Sequence, residues 1–562
     1  MHSFTFIRRW RSRVRTALFI FVMPATLLQS ADHIRNVQVH AIQLERSSII
    51  HWGHEPSNYK QWSTHSNRLI PVYTFGTRRA GAGIELTNYT GADSAYRNQQ
   101  KVRELYGRIP KQTVAATADY LDQTDLATLQ RAALVAGRKH VFLVIFDGMD
   151  WQTTQAAAIV SSGSLKYESG RGTGLHFQDY TAAGTTEFGF LVTSPHNSGT
   201  ESDVNLQSVL NPGGIIPGGY VPDKGGLTPW SPGSDPEYLI SRPIDAPLRH
   251  AYADSASSAT SMTTGAKTYN GAINVNYAGS RLTTIAHEAQ ARGYSIGVVS
   301  NVPISHATPA AAYAHNVSRL DYQDLTRDLL GLPSISHPIK PLAGIEVLLG
   351  GGFGVEATEN KAQGENFIPG NIYLASNDLT AVDVINDGRY VVAVRRRGVP
   401  GGPELRHAAQ QAVCGNCRLL GFYGLGKYEG HLPYATADGD YQPAPGRFGK
   451  AEEYSLADIC ENPTLAELTC AALDVLSTNP KGFWLMVEAG DVDWANHDNN
   501  IDTSIGAVLS GDRAVRVITE WVESNSNWHE SLLIVTADHG HYLVIDNPHG
   551  LIANESKEPE SR

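Results

Sequence analysis

Apolar positions in this chain fall into two patterns that alternate along its second half: short unbroken runs and helix-period stripes. HVFLVIFDG at 140–148 is apolar on both faces and stops at Asp-Gly, as a strand buried in a parallel sheet does before a turn. QTTQAAAIVSS then reads as a helix. A stretch of small residues from Ser255 predicts a second helix, YSIGVVS at 294–300 a strand, and a helix begins near Pro309. IEVLLGG at 345–351 predicts another strand. TLAELTCAALDVL at 464–476 is an amphipathic helix, GFWLMVEAG at 482–490 a strand, 503–524 a helix, and LLIVTADHGH at 532–541 a final strand.

Strands alternating with helices predict the α/β class, with a central, mostly parallel sheet sandwiched by helices. Residues 211–236 are dense in Gly and Pro and read as a surface loop, so one insertion is placed at about 196–248. Residues 355–450, irregular and rich in Gly and charge, are read as a second insertion of loops or a small subdomain. The catalytic domain is placed at 139–562. Residues 32–138, polar and without obvious chemistry, are expected to pack on it as an N-terminal extension.

Composition changes this picture in three places. Arg8, Arg9, Arg11, Arg13 and Arg15 precede the short apolar run Ala17 to Leu28, and Ser30 and Ala31 follow. That is the layout of a signal peptide over 1–31, so a periplasmic or secreted protein is expected, with no membrane span after cleavage. Without those arginines 40 basic side chains face 56 acidic ones, a net charge of −16, which argues against binding nucleic acid beyond a substrate. Four cysteines suit an oxidising compartment, local disulfides 414–417 and 460–470 being the simplest pairing and a four-thiolate zinc site the alternative.

The candidate chemistry lies just past the carboxyl ends of the expected strands, where open α/β sheets bind ligands: Asp147, Glu488, Asp538 and His539. Asp493 and His497 are four apart, so one helical turn would put both on one face. Each feature alone has a plain reading as a turn, a solvated pair or a cap. Together they gather carboxylate oxygens and imidazole nitrogens, a mixture that suits zinc, with magnesium taking any oxygen-only position. Ser255, behind Asp254 at the start of a helix, would have backbone N–H groups and the positive dipole end beside it, which favours phosphate. It lacks the GxSxG elbow of Ser-His-Asp hydrolases.

ADSASSAT with GAKTYNGA at 253–272 closely resembles the active-serine signature of alkaline phosphatases, and further motifs follow that family in order. FDGMD resembles its first metal turn, with Asp150 a departure; SHATPAAAYAHNVSR, GFWLMVEAGDVDWANH and VTADHGH resemble its later site segments. The resemblance implies a phosphomonoesterase working through a phosphoserine at Ser255, with Arg319 clamping phosphate oxygens. It implies two Zn2+ and one Mg2+: one zinc on Asp147, Asp538, His539 and Ser255, the other on Asp493, His497 and a third residue, and magnesium on Asp147, Thr308 and Glu488. His306 and Trp494 would stand close behind, and a homodimer is suggested. The family's third ligand to the leaving-group zinc lies well downstream of the Asp-His strand, whereas only 23 residues follow His539. His541, His549, His65 and His196 are left open for that role. A phosphodiesterase on the same metal scaffold, and an inactive secreted metal- or phosphate-binding protein, are the alternative readings.

Overall fold

A computed structural model describes residues 25–62, 64–231, 233–240 and 250–553, with the backbone only for 25–32. Ten strands form one sheet: β1 Ile70–Phe75, β2 Leu121–Asp122, β3 His140–Phe146, β4 Glu187–Val192, β5 Ser295–Pro303, β6 Val347–Gly351, β7 Tyr390–Val394, β8 Arg418–Phe422, β9 Phe483–Ala489 and β10 Ser531–Thr536. Their order is β7-β8-β6-β5-β9-β3-β10-β1-β4-β2. From β7 to β10 every pairing is parallel; β1 runs antiparallel to both β10 and β4. The helices that matter for the site are α1 Ala25–Leu44, α2 Gln123–Val135, α3 Trp151–Ser162, α4 Ser255–Thr264, α5 Ala307–Ala311, α6 Tyr322–Leu330, α7 Gly401–Gly415, α8 Leu465–Leu476, α9 Asp491–His497 and α10 Ile501–Asn525.

The five strands expected from continuous apolar runs are present, and the central ones, β3 and β9, are buried almost throughout because helices cover both faces. Neighbouring residues of a strand point to opposite faces. Accordingly Phe483 packs edge-on against Trp521 of α10, while the adjacent Trp484 donates its indole N–H to Gln130 of α2 at 2.8 Å. The sheet is therefore the middle of three layers.

Two regions differ from the sequence reading. Residues 355–450 supply β7, β8 and the 15-residue α7, which extend the main sheet. Those strands are short apolar runs within a stretch rich in Gly and charge, which masks them. Residues 32–138 likewise place β1 and β2 in this sheet and α2 on its face. The four cysteines are free thiols: Cys414 is exposed near the end of α7, Cys470 is exposed on α8, and neither local disulfide is formed. The expected leader falls mainly on residues 1–24, outside the described residues. Residues 25–31 continue as backbone into α1. Among the described residues no helix is long and apolar enough to cross a membrane.

Candidate metal and phosphate site

The parallel register brings the carboxyl ends of β3, β9 and β10 to one edge. Glu488 pairs with Ile145 and Ser300, and Thr536 with Ile145. Asp147 and Asp538 therefore leave the sheet side by side, and Gly148 N–H donates to Asp538 Oδ1 at 3.0 Å. The turn after β3 needs glycine twice over. Gly148 has φ +73°, and a Cβ there would lie 2.8 Å from the His541 ring and 3.0 Å from the Asp493 backbone.

Ser255 is the first residue of α4, whose ten residues are all buried; Ala and Ser side chains let it sit deep against the sheet edge. Asp254 caps the helix by accepting from Ser257 N–H at 2.9 Å. Its other oxygen accepts from Gly271 N–H at 3.0 Å and from Arg319 at 3.0 Å. The second terminal nitrogen of Arg319 donates to His306 Nε2 at 3.3 Å, so the guanidinium is fixed from two sides beside Ser255. Trp494 meets His306 edge-on at 5.5 Å.

Donor atoms converge in two groups. Ser255 Oγ lies 3.3 Å from Asp147 Oδ1 and 3.3 Å from His539 Nε2. His539 Nε2 in turn lies 3.3 Å from Asp147 Oδ1 and 3.4 Å from Asp538 Oδ2. A tetrahedron with metal–ligand distances of roughly 2.0–2.1 Å has edges of about 3.3 Å, and these four separations match that edge. In the second group His497 Nε2 is 3.4 Å from Asp493 Oδ1, and His65 Nε2 is 3.2 Å from His497 Nε2 and 3.9 Å from Asp493 Oδ1. Those three atoms form one triangular face, and His65 and Asp493 also group with His539 and His541, the donor atoms of these four lying within 4.8 Å of one another. A third set consists of Thr308 Oγ1, 3.5 Å from Asp147 Oδ2, and Glu488, whose Oε2 accepts from Ser300 at 2.5 Å, with the His306 ring within 4.8 Å of the Asp147 and Glu488 donors.

Electrostatics point the same way. Burial, then Asp538 and Asp493, push the Asp147 carboxyl well above the usual range; burial raises Glu488 to about 8 and Asp538 to about 6. Glu488 Oε1 and Asp538 Oδ2 are buried without a hydrogen-bond partner. Buried carboxylates so crowded stay ionised only beside cations. Burial, then the neighbouring His541 and His497, bring His65 down to about 3, leaving neutral imidazoles with lone pairs to donate. The residues present fit divalent cations.

Asp147, Ser255, Thr308, Glu488, Asp493, His497, Asp538, His539 and Arg319 thus come together. Of the four histidines left open, His65 and His541 reach the cluster. His65 stacks on His539 at 3.8 Å, and His541 Nε2 lies 2.7 Å from Asp493 Oδ1. His196 instead stacks on Tyr277, and His549 lies in a 3-10 turn at 548–551. His65 arrives because β1 is antiparallel to β10, so the residues before it lie at the end where β10 finishes; Ser66 N–H donates to Gly540 O at 2.8 Å. The Asp150 departure is a cap: its carboxylate accepts from Thr153 N–H at 3.0 Å and meets Arg68 at 3.3 Å.

The chain is similar in sequence to known proteins. The "Alkaline phosphatase" from Escherichia fergusonii is 33% identical over 310 residues, 52% of this chain and 59% of that protein. "Alkaline phosphatase 4" of Bacillus subtilis is 28% identical over 305 residues, 54% of this chain and 50% of its own length. The chain thus spans half to three fifths of these relatives. The crystal structure of a cold-active alkaline phosphatase from Shewanella sp. aligns with a TM-score of 0.42 at 23% identity, covering 72% of this chain and 68% of that one. The alkaline phosphatase family model matches residues 241–551, more than half of the sequence, and this chain belongs to that family.

Proposed function

We propose that the protein hydrolyses phosphate monoesters through a phosphoserine at Ser255, with two Zn2+ and one Mg2+. The observation that carries this reading is that Ser255 Oγ lies 3.3 Å from both Asp147 Oδ1 and His539 Nε2, with His539 Nε2 in turn 3.3 Å from Asp147 Oδ1 and 3.4 Å from Asp538 Oδ2, which sets the hydroxyl among metal donors. One zinc would be held by those four residues and the other by Asp493, His497 and His65. Magnesium would be held by Asp147, Thr308 and Glu488. The chemistry such cations supply is positive charge, at the serine oxygen and at the departing alcohol oxygen.

The side chains do the rest. Arg319, braced by Asp254 and His306, offers its fork to two phosphate oxygens and fixes phosphorus beside Ser255. The N-terminus of α4 adds a favourable dipole. Ser255 Oγ bonds to phosphorus as the ester P–O bond breaks in line, and the serine proton passes through solvent to the departing oxygen, which leaves as the alcohol. Water then attacks the phosphoserine, releasing phosphate and restoring the hydroxyl. The alcohol departs into a cleft of about 700 Å³ bordered by His65, Asp493, His497, Trp494, Tyr428 and Phe448.

Aryl phosphate hydrolysis tests the reading, with a bis-aryl diester as comparison. The monoester should be strongly preferred; Ser255→Ala should lose nearly all turnover and keep its affinity for inorganic phosphate; chelation should abolish activity and zinc with magnesium restore it. Faster cleavage of the diester would mark a phosphodiesterase, and full activity in Ser255→Ala would refute the mechanism. Export by the 1–31 segment is proposed on its charge and hydropathy pattern, and a homodimer on the family resemblance.

A further inference from the structure

A second cluster of metal donors lies outside the site just described. His315 Nδ1 and His337 Nε2 face each other at 3.1 Å, and Asp328 Oδ2 is 3.8 Å from His337 Nε2. Donors from all three residues lie within 4.8 Å of one another. These separations bracket the edge of about 3.3 Å expected for three ligands of tetrahedral zinc.

The surroundings prepare two of the three as ligands. His315 Nε2 donates to the carbonyl of Leu282 at 2.7 Å, which fixes the tautomer and leaves the Nδ1 lone pair aimed at the cluster. Asp328, whose side chain is fully buried, is oriented by Ser334 Oγ at 2.5 Å and by His315 N–H at 3.0 Å. Burial brings His315 to about 3 and His337 to about 4, so both rings are neutral at physiological pH. The third ligand is held back: Arg281 approaches His337 Nδ1 at 3.2 Å while donating to Ser336 O at 2.7 Å. A guanidinium only donates, so Nδ1 accepts and the ring proton sits on Nε2, pointing at His315.

We propose that His315, Asp328 and His337 form a further divalent-cation site of the zinc type, opened when the exposed Arg281 side chain releases His337. The proton then moves to Nδ1 and Nε2 binds the cation. The three ligands come from the segment between α5 and Arg319, from α6, and from the loop after it, so a bound ion would staple together the elements flanking the phosphate-clamping arginine.

The test is zinc analysis of metal-stripped, zinc-reloaded full-length protein. His337→Ala and Asp328→Asn should each bind one zinc fewer per chain than the unsubstituted protein, with hydrolysis at saturating metal unchanged. Arg281→Gln, which offers Nδ1–H a carbonyl acceptor, should bind the extra zinc about tenfold more tightly, the scale of outer-ligand effects. Arg281 lies at the surface, so this variant stands even if the buried substitutions fail to fold. Equal zinc content in all four proteins, or no change of affinity in Arg281→Gln, would show a hydrogen-bond relay only and overturn the proposal. Loss of activity in Ser255→Ala with the extra zinc retained would separate this site from the catalytic one.

Discussion

Replacing His65 by Ala tests whether the far N-terminal side of the chain completes the active site. His65 Nε2 is one vertex of a triangle with edges of 3.2, 3.4 and 3.9 Å, the last two measured to or from Asp493 Oδ1. Without it, Asp493 and His497 remain as a two-donor site. Partners that merely orient metal ligands are worth about 10–100-fold in metal affinity or activity, so loss of a direct ligand should reach at least the upper end of that range. At limiting zinc we expect kcat/KM for aryl phosphate to fall by about 10²-fold or more, equivalent to about 2.7 kcal/mol of transition-state stabilisation. Bound zinc should fall in parallel. Excess zinc should recover much of the rate, because Ser255 and Arg319 are untouched. His541→Ala should cost less, since that ring approaches the site through the Asp493 carboxylate at 2.7 Å. Unchanged rate and zinc content in His65→Ala would refute the assignment.

Three further outcomes follow from the packing around the site. Lys267 and Asp122 form an ion pair at 3.0 Å with both side chains fully buried, so Lys267→Met should cost about 3–5 kcal/mol by denaturant melts. Adding Asp122→Asn should recover part of that loss; a Lys267→Met protein as stable as the parent would contradict the pairing. Burial and then Asp122 raise the Asp125 carboxyl to about 7. Above its unfolded pKa the folded state keeps this proton longer, so Asp125 removes stability as pH rises from about 4 to 7, by up to about 1.4 kcal/mol per unit. Asp125→Asn should therefore gain stability over the parent at pH 8 relative to pH 5; a gap that does not widen would sink the argument. Gly148→Ala should reduce bound zinc and destabilise by about 1–3 kcal/mol, from the strain of φ +73° and the clash with His541. Measured zinc and melting temperature equal to the parent's would argue against it.

Much of the fold was legible in short stretches. β3, β5, β6, β9 and β10 announced themselves because strands covered on both faces must be apolar at every position, and the acids that end them stood out against that background. Asp493 and His497 could be paired from their spacing because a helix turn is local geometry. By contrast β7 and β8 are masked by the Gly- and charge-rich stretch around them, and nothing local marks which strand they join.

The sequence by itself therefore determined the α/β class, the order of the candidate acidic and histidine ligands, and the serine behind its capping aspartate, all properties of runs of ten or so residues. Tertiary structure alone decided that β1 lies antiparallel against β10, and with it that His65 stacks on His539 from the opposite end of the chain. It alone decided that His315, Asp328 and His337 meet. Strand direction and helix docking are set by which apolar faces bury each other across the whole molecule, a balance of long-range packing that no window of sequence contains.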